Sequence, residues 1–281
     1  NLYAIVNISV CNMRSDKRHP AELSTQSLLG TPLRVYKRDG SWFYVQTPDD
    51  YLGWVDAGGI SLKNEKELNK WMTTDKVIYT YDFGFAYSEP DVKSRRVSDV
   101  AAGNILMLLE DKEIFFKVLF PDGREAYLNK QESDLYKDWV ASLSPTKENI
   151  IKTSERFFGV PYLWGGTSAK GMDCSGFTKI VYFLNGIILP RDASQQVHVG
   201  ELIPTEDGFE KLQPGDLLFF GSKPTEERGE RITHVAIYLG DGDFIHADGK
   251  IRINSLDKEK EHFSEYRYNS FIRAKRILSS L

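Results

Sequence analysis

The chain has little of what marks several common protein classes. Its two cysteines, Cys11 and Cys174, are too few for a disulfide framework and allow a single bridge at most. No apolar run approaches the ~20 residues needed to span a bilayer. Neither charge dominates: 36 Lys and Arg stand against 40 Asp and Glu, a net charge of −4 spread along the chain. That leaves no basic footprint for nucleic acid and no polybasic patch for a membrane surface. Histidine is scarce, with five in all, so chemistry that needs an imidazole has few candidates. The first residue is Asn1 and not Met. An upstream segment is therefore expected to have been removed, a signal peptide being one such segment. What the chain does have is length: 281 residues can bury a substantial core and suggest two or three domains.

Residues 1–135 carry short β-like runs separated by turn residues. Leu33-Arg34-Val35-Tyr36 precedes the turn Arg38-Asp39-Gly40, Trp42-Phe43-Tyr44-Val45 follows it, and Tyr51-Leu52-Gly53-Trp54-Val55 comes after Thr47-Pro48-Asp49-Asp50. This is the pattern of a hairpin-rich small barrel. It recurs at an offset of about 73 residues: Gly30 matches Gly103, Leu33 matches Leu106, Val45 matches Val118, and Trp54 matches Tyr127. The spacing predicts two copies of one β unit, 1–65 and 72–135, each resembling a bacterial SH3-like domain. A single larger β-domain is the alternative. The copies differ at Glu22 and Tyr51, whose counterparts are Arg95 and Arg124. Cys11, in the strand-like run Ile8 to Met13, reads as a packed small hydrophobe.

A linker is predicted over 136–144. Ser144-Pro145 then reads as an N-cap and first helical residue, with Ile150, Ile151, Phe157 and Phe158 forming the buried face and Gly159 the stop. Beyond it the pattern turns to helices and then strands, so 145–281 reads as an α+β domain. Cys174 opens an amphipathic segment in which Phe177, Ile180, Val181 and Leu184 recur at helical spacing. The unpaired N–H groups of a helix start favour an anion, which predicts a lowered thiol pKa and a usable nucleophile.

A cysteine nucleophile needs a base, and the base needs orienting. His19, His198 and His262 lie in polar surroundings and read as solvated. His234 interrupts the apolar run Ile232 to Leu239, either as a hydrogen-bonded core residue or as a base facing a cleft. His246 is a second polar intruder twelve residues on, across the Asp241-Gly242-Asp243 turn. Two histidines hydrogen-bonded across a hairpin would fix tautomer and orientation in the first ring. Zinc is the rival for a Cys/His/His set, but the spacings fit no usual metal motif, and no metal or organic cofactor is implied.

Pro161-Tyr162-Leu163-Trp164-Gly165-Gly166, Asp173-Cys174-Ser175-Gly176-Phe177, Leu189-Pro190-Arg191-Asp192, Leu212 to Leu217 and His234 to Gly240 occur in that order. On these segments, residues 145–281 resemble the NlpC-type cell-wall cysteine peptidases, a compact papain-like fold. The two preceding β units resemble those of its YkfC-like subset. That subset cleaves between D-glutamate and a diamino acid in muropeptides with a free N-terminal L-alanine. The resemblance implies Cys174 as nucleophile, His234 as base and acid, His246 as its orienting partner, and Tyr162 as an oxyanion donor. It places Trp164, Ser175, Arg191 and Asp192 along the substrate groove. Trp164 as a cover for the core, and Arg191–Asp192 as a local ion pair, are the structural alternatives.

A carboxylate beside a nucleophilic thiol opposes thiolate formation. Asp173 makes sense there if it binds a cation, for which the resemblance supplies the α-ammonium of L-alanine, with Glu22 and Tyr51 completing the pocket. The chain departs from the family at Ala193, where related sequences often carry serine. The expected function is a γ-D-glutamyl-L-diamino acid peptidase acting through a thioester. An amidase or acyltransferase on a papain-like core, and a non-catalytic wall-binding module, are the alternatives. The cell envelope (periplasmic or secreted) is expected ahead of the cytoplasm, and the chain is expected to act as a monomer on a peptidoglycan stem peptide or muropeptide.

Overall fold

Alternating burial along the strands of the first half is the local cause of its architecture. The computed structural model describes residues 2–278. They form two compact units, 2–143 with Trp164–Lys170, and Ser144–Leu163 with 171–278. In the first unit, strands β1 (Leu2–Val6), β2 (Val10–Arg14), β3 (Leu23–Leu28), β4 (Pro32–Asp39), β5 (Trp42–Gln46), β6 (Leu52–Asp56) and β7 (Ile60–Lys63) pair in the order β3-β2-β6-β5-β4-β1-β7. Helix α1 (Glu65–Thr73) follows, started by a reciprocal cap: Asn64 accepts from the Glu67 N–H, and Glu67 accepts from the Asn64 N–H.

A second sheet then repeats the first. It comprises β8 (Lys76–Tyr79), β9 (Phe83–Tyr87), β10 (Arg96–Ala101), β11 (Ile105–Asp111), β12 (Phe115–Leu119), β13 (Glu125–Asn129) and β14 (Ser133–Leu135). Its order, β10-β9-β13-β12-β11-β8-β14, is that of the first sheet advanced by seven strands. Gly30 and Gly103, paired by the offset in sequence, sit at the same left-handed turn with φ of 88° and 87°. Each copy has its own core, one around Val6, Met13, Leu33, Val45 and Val55, the other around Val77, Val100, Leu106, Val118 and Leu128. Cys11 is 2% exposed in the first, packed as expected, and both cysteines are free thiols.

Polar bonds join the two copies within this unit. Ile105 N–H donates to the Leu29 carbonyl at 3.0 Å, and Ser61 and Lys63 both donate to the Pro121 carbonyl. Arg124, which stands where the first copy has Tyr51, donates to the Asn7 carbonyl at 2.8 Å. The substitution thus supplies a bond between the copies. The segment read as a linker contains helix α2 (Tyr136–Ser142), where Tyr136 and Trp139 pack ring to ring one turn apart.

The second unit opens with α3 (Lys147–Arg156). Its cap is Thr146, which accepts from the Asn149 N–H at 3.2 Å, two residues later than the Ser144-Pro145 start read from sequence. Ile150 and Phe157 form its buried face, whereas Phe158 is 56% exposed, because the helix ends at Arg156 and the chain has turned away. Two-residue strands β15 (Thr167–Ser168), in the first unit, and β16 (Gly171–Met172), in the second, precede α4 (Cys174–Phe183) and α5 (Ala193–Gln196).

An antiparallel sheet of β17 (Glu201–Ile203), β18 (Leu217–Ser222), β19 (Arg231–Gly240), β20 (Asp243–Asp248), β21 (Lys250–Ser255) and β22 (Phe271–Arg276) completes the unit. Its order is β17-β22-β18-β19-β20-β21, and α6 (Glu265–Ser270) leads into β22. Helix α4 packs against β19 and β20, and its Phe177, Ile180 and Val181 are nearly or fully buried. Each such side chain contributes about 1.5–3 kcal/mol. The β19–β20 hairpin turns through Asp241 and Gly242, with φ of 49° and 83°, a two-residue loop whose twist suits the flanking strands.

Candidate active site

Cys174 is the first residue of α4, and Asp173 is its N-cap, with an extended backbone and a carboxylate that accepts from the Gly176 N–H at 2.7 Å. The helix start expected from sequence is therefore present, but its consequence for the thiol is reversed. Cys174 is 8% exposed, and burial, reinforced by the Asp173 charge, pushes its pKa up to about 11. Backbone N–H groups of Val235 and Ser175 and the Arg191 charge favour the thiolate without overcoming the loss of water. Cys174 is therefore a protonated thiol at neutral pH.

His234 lies next to Val235 in β19, so the strand that supplies a donor to the thiol also supplies the imidazole. Its Nε2 is 2.7 Å from Nδ1 of His246 on β20, ring planes nearly perpendicular. Nε2 of His246 in turn lies 3.0 Å from Oδ1 of Asn254 on β21. Both imidazoles are buried, 6% and 0% exposed. Burial drives both toward the neutral form, His234 well below the ordinary histidine range and His246 to about 4. The Arg267 charge adds to the effect on each, and Asn254 opposes it at His246. Both rings are thereby held neutral at physiological pH. His19, His198 and His262 are exposed, as their surroundings suggested.

Tyr162 is held by its N–H to the Gly249 carbonyl at 3.0 Å. Burial and the neighbouring Cys174 and Asp173 raise its hydroxyl to about 12, so it stays protonated and can donate. Arg191, expected along a groove, is 2% exposed and bonded inward. It donates to Asp173 at 2.7 and 3.1 Å and to the Ser175 hydroxyl at 2.9 Å. It is ion-paired with Asp173. Asp173 caps α4 and faces this guanidinium, so a protein cation already stands against its carboxylate. Asp192 begins α5, its N–H donating to the Gln195 side chain. Ala193 is buried and offers no hydroxyl.

Three expected residues belong to the first unit. The Trp164 indole N–H donates to Glu22 Oε1 at 2.9 Å, and the ring is 62% exposed, so it does not cover a core. Thr167 is bonded to both the side chain and the carbonyl of Gln26. Tyr51 is half-buried beside the Thr47 turn, which its carbonyl closes.

Residues 159–273 match the NlpC/P60 family, and residues 13–60 match the bacterial dipeptidyl-peptidase SH3 domain. The γ-D-glutamyl-L-lysine dipeptidyl-peptidase of Bacillus subtilis strain 168 is 32% identical over 233 residues, spanning 80% of this chain and 72% of that protein. The chain belongs to the NlpC/P60 family. Dipeptidyl-peptidase 6 of Lysinibacillus sphaericus is 28% identical over 266 residues, 91% of this chain and 92% of that one. A crystal structure of an NlpC/P60 family protein from Bacillus cereus ATCC 10987 superposes with a TM-score of 0.82 at 27% identity, covering 98% of this chain and 99% of that chain.

As an NlpC/P60 protein the chain is a cysteine peptidase with SH3-like domains ahead of a papain-like core. Among the described residues no group of three or more His, Cys, Asp or Glu is arranged to hold a metal ion, and no helix is long and apolar enough to cross a membrane. Two polar residues of the site escape a sequence reading. Gln196, fully buried, donates to the Ser175 and Pro190 carbonyls and accepts from Thr178. Asn254 contacts the histidine pair. Its signal was register: extending the β20–β21 hairpin sets Asn254 opposite Phe244, on the face that carries His246.

Proposed function

We propose that the protein hydrolyses the bond between γ-D-glutamate and an L-diamino acid in peptidoglycan stem peptides that begin with a free L-alanine. The observation that carries this is the buried His234–His246 pair beside a cysteine at a helix start, in a chain 32% identical to a γ-D-glutamyl-L-lysine dipeptidyl-peptidase. The Cys174 sulfur attacks the γ-carbonyl while His234 takes the thiol proton. The Tyr162 hydroxyl and the Cys174 N–H hold the oxyanion. His234 then protonates the leaving amine, giving a thioester, and afterwards activates water to release the acid and restore the thiol.

Asp173, Glu22 and Tyr51 are the proposed readers of the substrate ammonium, and Trp164, Ser175 and Asp192 the proposed lining of the groove. Arg191 serves by holding Asp173 and Ser175. The proposed modules are 1–65, 72–135 and 145–281, the proposed compartment is the cell envelope, and the proposed working form is a monomer. Mass spectrometry of defined muropeptides gives the test. The expected products from the free-amine substrate are L-Ala-γ-D-Glu and the diamino acid portion, with lactyl-blocked alanine left intact. Equal cleavage of both overturns the free-amine requirement. Transfer of the acyl group to an added amine in preference to water identifies an acyltransferase instead. Glu22→Gln is expected to lower kcat/KM on the free-amine peptide about 10–100-fold by loss of a charged hydrogen bond, with unchanged melting temperature.

A further inference from the structure

A backbone carbonyl near the end of the β20–β21 hairpin decides which nitrogen of His234 is the base. The His262 carbonyl oxygen can only accept. It receives the Ser255 N–H at 3.0 Å and, also at 3.0 Å, the side-chain nitrogen of Asn254. That second contact fixes the Asn254 amide, because the atom facing a carbonyl must be the NH₂ group. Oδ1 is then the atom facing His246, and an amide oxygen only accepts, so His246 Nε2 must carry a proton. A neutral imidazole has one N–H, so His246 Nδ1 is a lone pair. It can only accept from His234, whose Nε2 therefore carries the proton, and His234 Nδ1 is left unprotonated. Three directed hydrogen bonds thus run from His234 to the main chain of a loop.

That loop is anchored. The His262 ring lies 3.0 Å from Asp243 Oδ1, and Lys260 donates to the same oxygen at 2.9 Å. The groups facing the histidine pair are consistent with neutrality throughout. Arg267 from α6 and Arg252 from β21 disfavour an extra proton, whereas the Asn254 hydrogen bond and Asp248, on the same strand as His246, favour one without outweighing burial.

We infer that Asn254 is a positioning residue for the reaction. It sets the tautomer of His246, and through it that of His234, so that Nδ1 of His234 is always the proton acceptor. This rests on the reading of His234 as the base in Proposed function. The test separates the two. Protein labelled with ¹⁵N in histidine is examined by long-range ¹H–¹⁵N spectra at neutral pH, alongside kinetics. Wild type is expected to show Nε2–H on both buried rings. Asn254→Ala is expected to move His246 toward the Nδ1–H form, perturb His234 in step, and lower kcat about 10–100-fold with KM little changed, as supporting residues around a site commonly do. Asn254→Asp keeps the accepting oxygen and is expected to restore the Nε2–H signature and most of kcat. Unchanged tautomers in folded Asn254→Ala overturn the inference, as does unchanged kcat once the tautomers have moved. Activity retained by His234→Ala would instead remove the base assignment, and the spectra still decide whether Asn254 sets the tautomers.

Discussion

At the scale of single residues, the chemistry of the site is governed by lost water. Cys174, His234 and His246 were legible because each breaks a local pattern, a thiol opening a helix or an imidazole interrupting an apolar strand. Their charge states were not, since these depend on how completely other parts of the chain exclude solvent. With the thiol held near about 11, its alkylation by a neutral haloacetamide should keep accelerating roughly tenfold per pH unit well above neutrality. A rate that levels off near pH 7 would indicate a preformed thiolate. The histidines give the matching statement about stability. An unfolded His246 titrates near 6.5 and the folded one at about 4, so between those values the unfolded chain binds more protons. Stability is therefore fully present above about pH 6.5 and declines as pH falls toward 4, with His234 adding in the same direction. Melting temperatures between pH 7.5 and 4.5 should show this slope, and His246→Gln should flatten it.

At the scale of elements, periodicity located α4 and the β19–β20 hairpin but misplaced ends. Ser144-Pro145 looks like a start, yet the chain is capped at Thr146, and Phe158 fits an apolar stripe that has already ended. Periodicity also has no access to which distant side chain completes a cap. Asp173 shows this: neither its capping of α4 nor its pairing with Arg191 across the following loop was read from sequence. That pair is buried on both sides, with side-chain exposures of 2% for Arg191 and 12% for Asp173. Removing one partner takes away the ion pair while the other charge stays buried at the start of α4. Arg191→Met should cost about 3–5 kcal/mol in urea unfolding. A loss below 1 kcal/mol would show that Asp173 finds other compensation.

At the scale of the whole molecule, the clearest sequence signal was the offset of about 73 residues, and it corresponds to two sheets of one strand order. The bonds that join the two copies were not legible, since they involve positions at which the copies differ, such as Arg124, or contacts through main chain. Gly30 is the most demanding of these. A side chain there would sit 2.1 Å from the Ile105 carbonyl in a left-handed backbone region, so Gly30→Ala should destabilise the first unit by at least ~2 kcal/mol. Calorimetry of the full chain should show the lower transition. The first unit also includes Trp164–Lys170, a stretch that in sequence lies between Tyr162 and Cys174. Compactness and chain order therefore divide this protein differently. For recombination this means that no single crossover point separates its parts: an exchange of the first 143 residues for those of a relative leaves seven residues behind, still shaped for Glu22 and Gln26. Lineages that inherit a new front half by one crossover also inherit a mismatch within the first unit. The two parts can only be exchanged as a matched set.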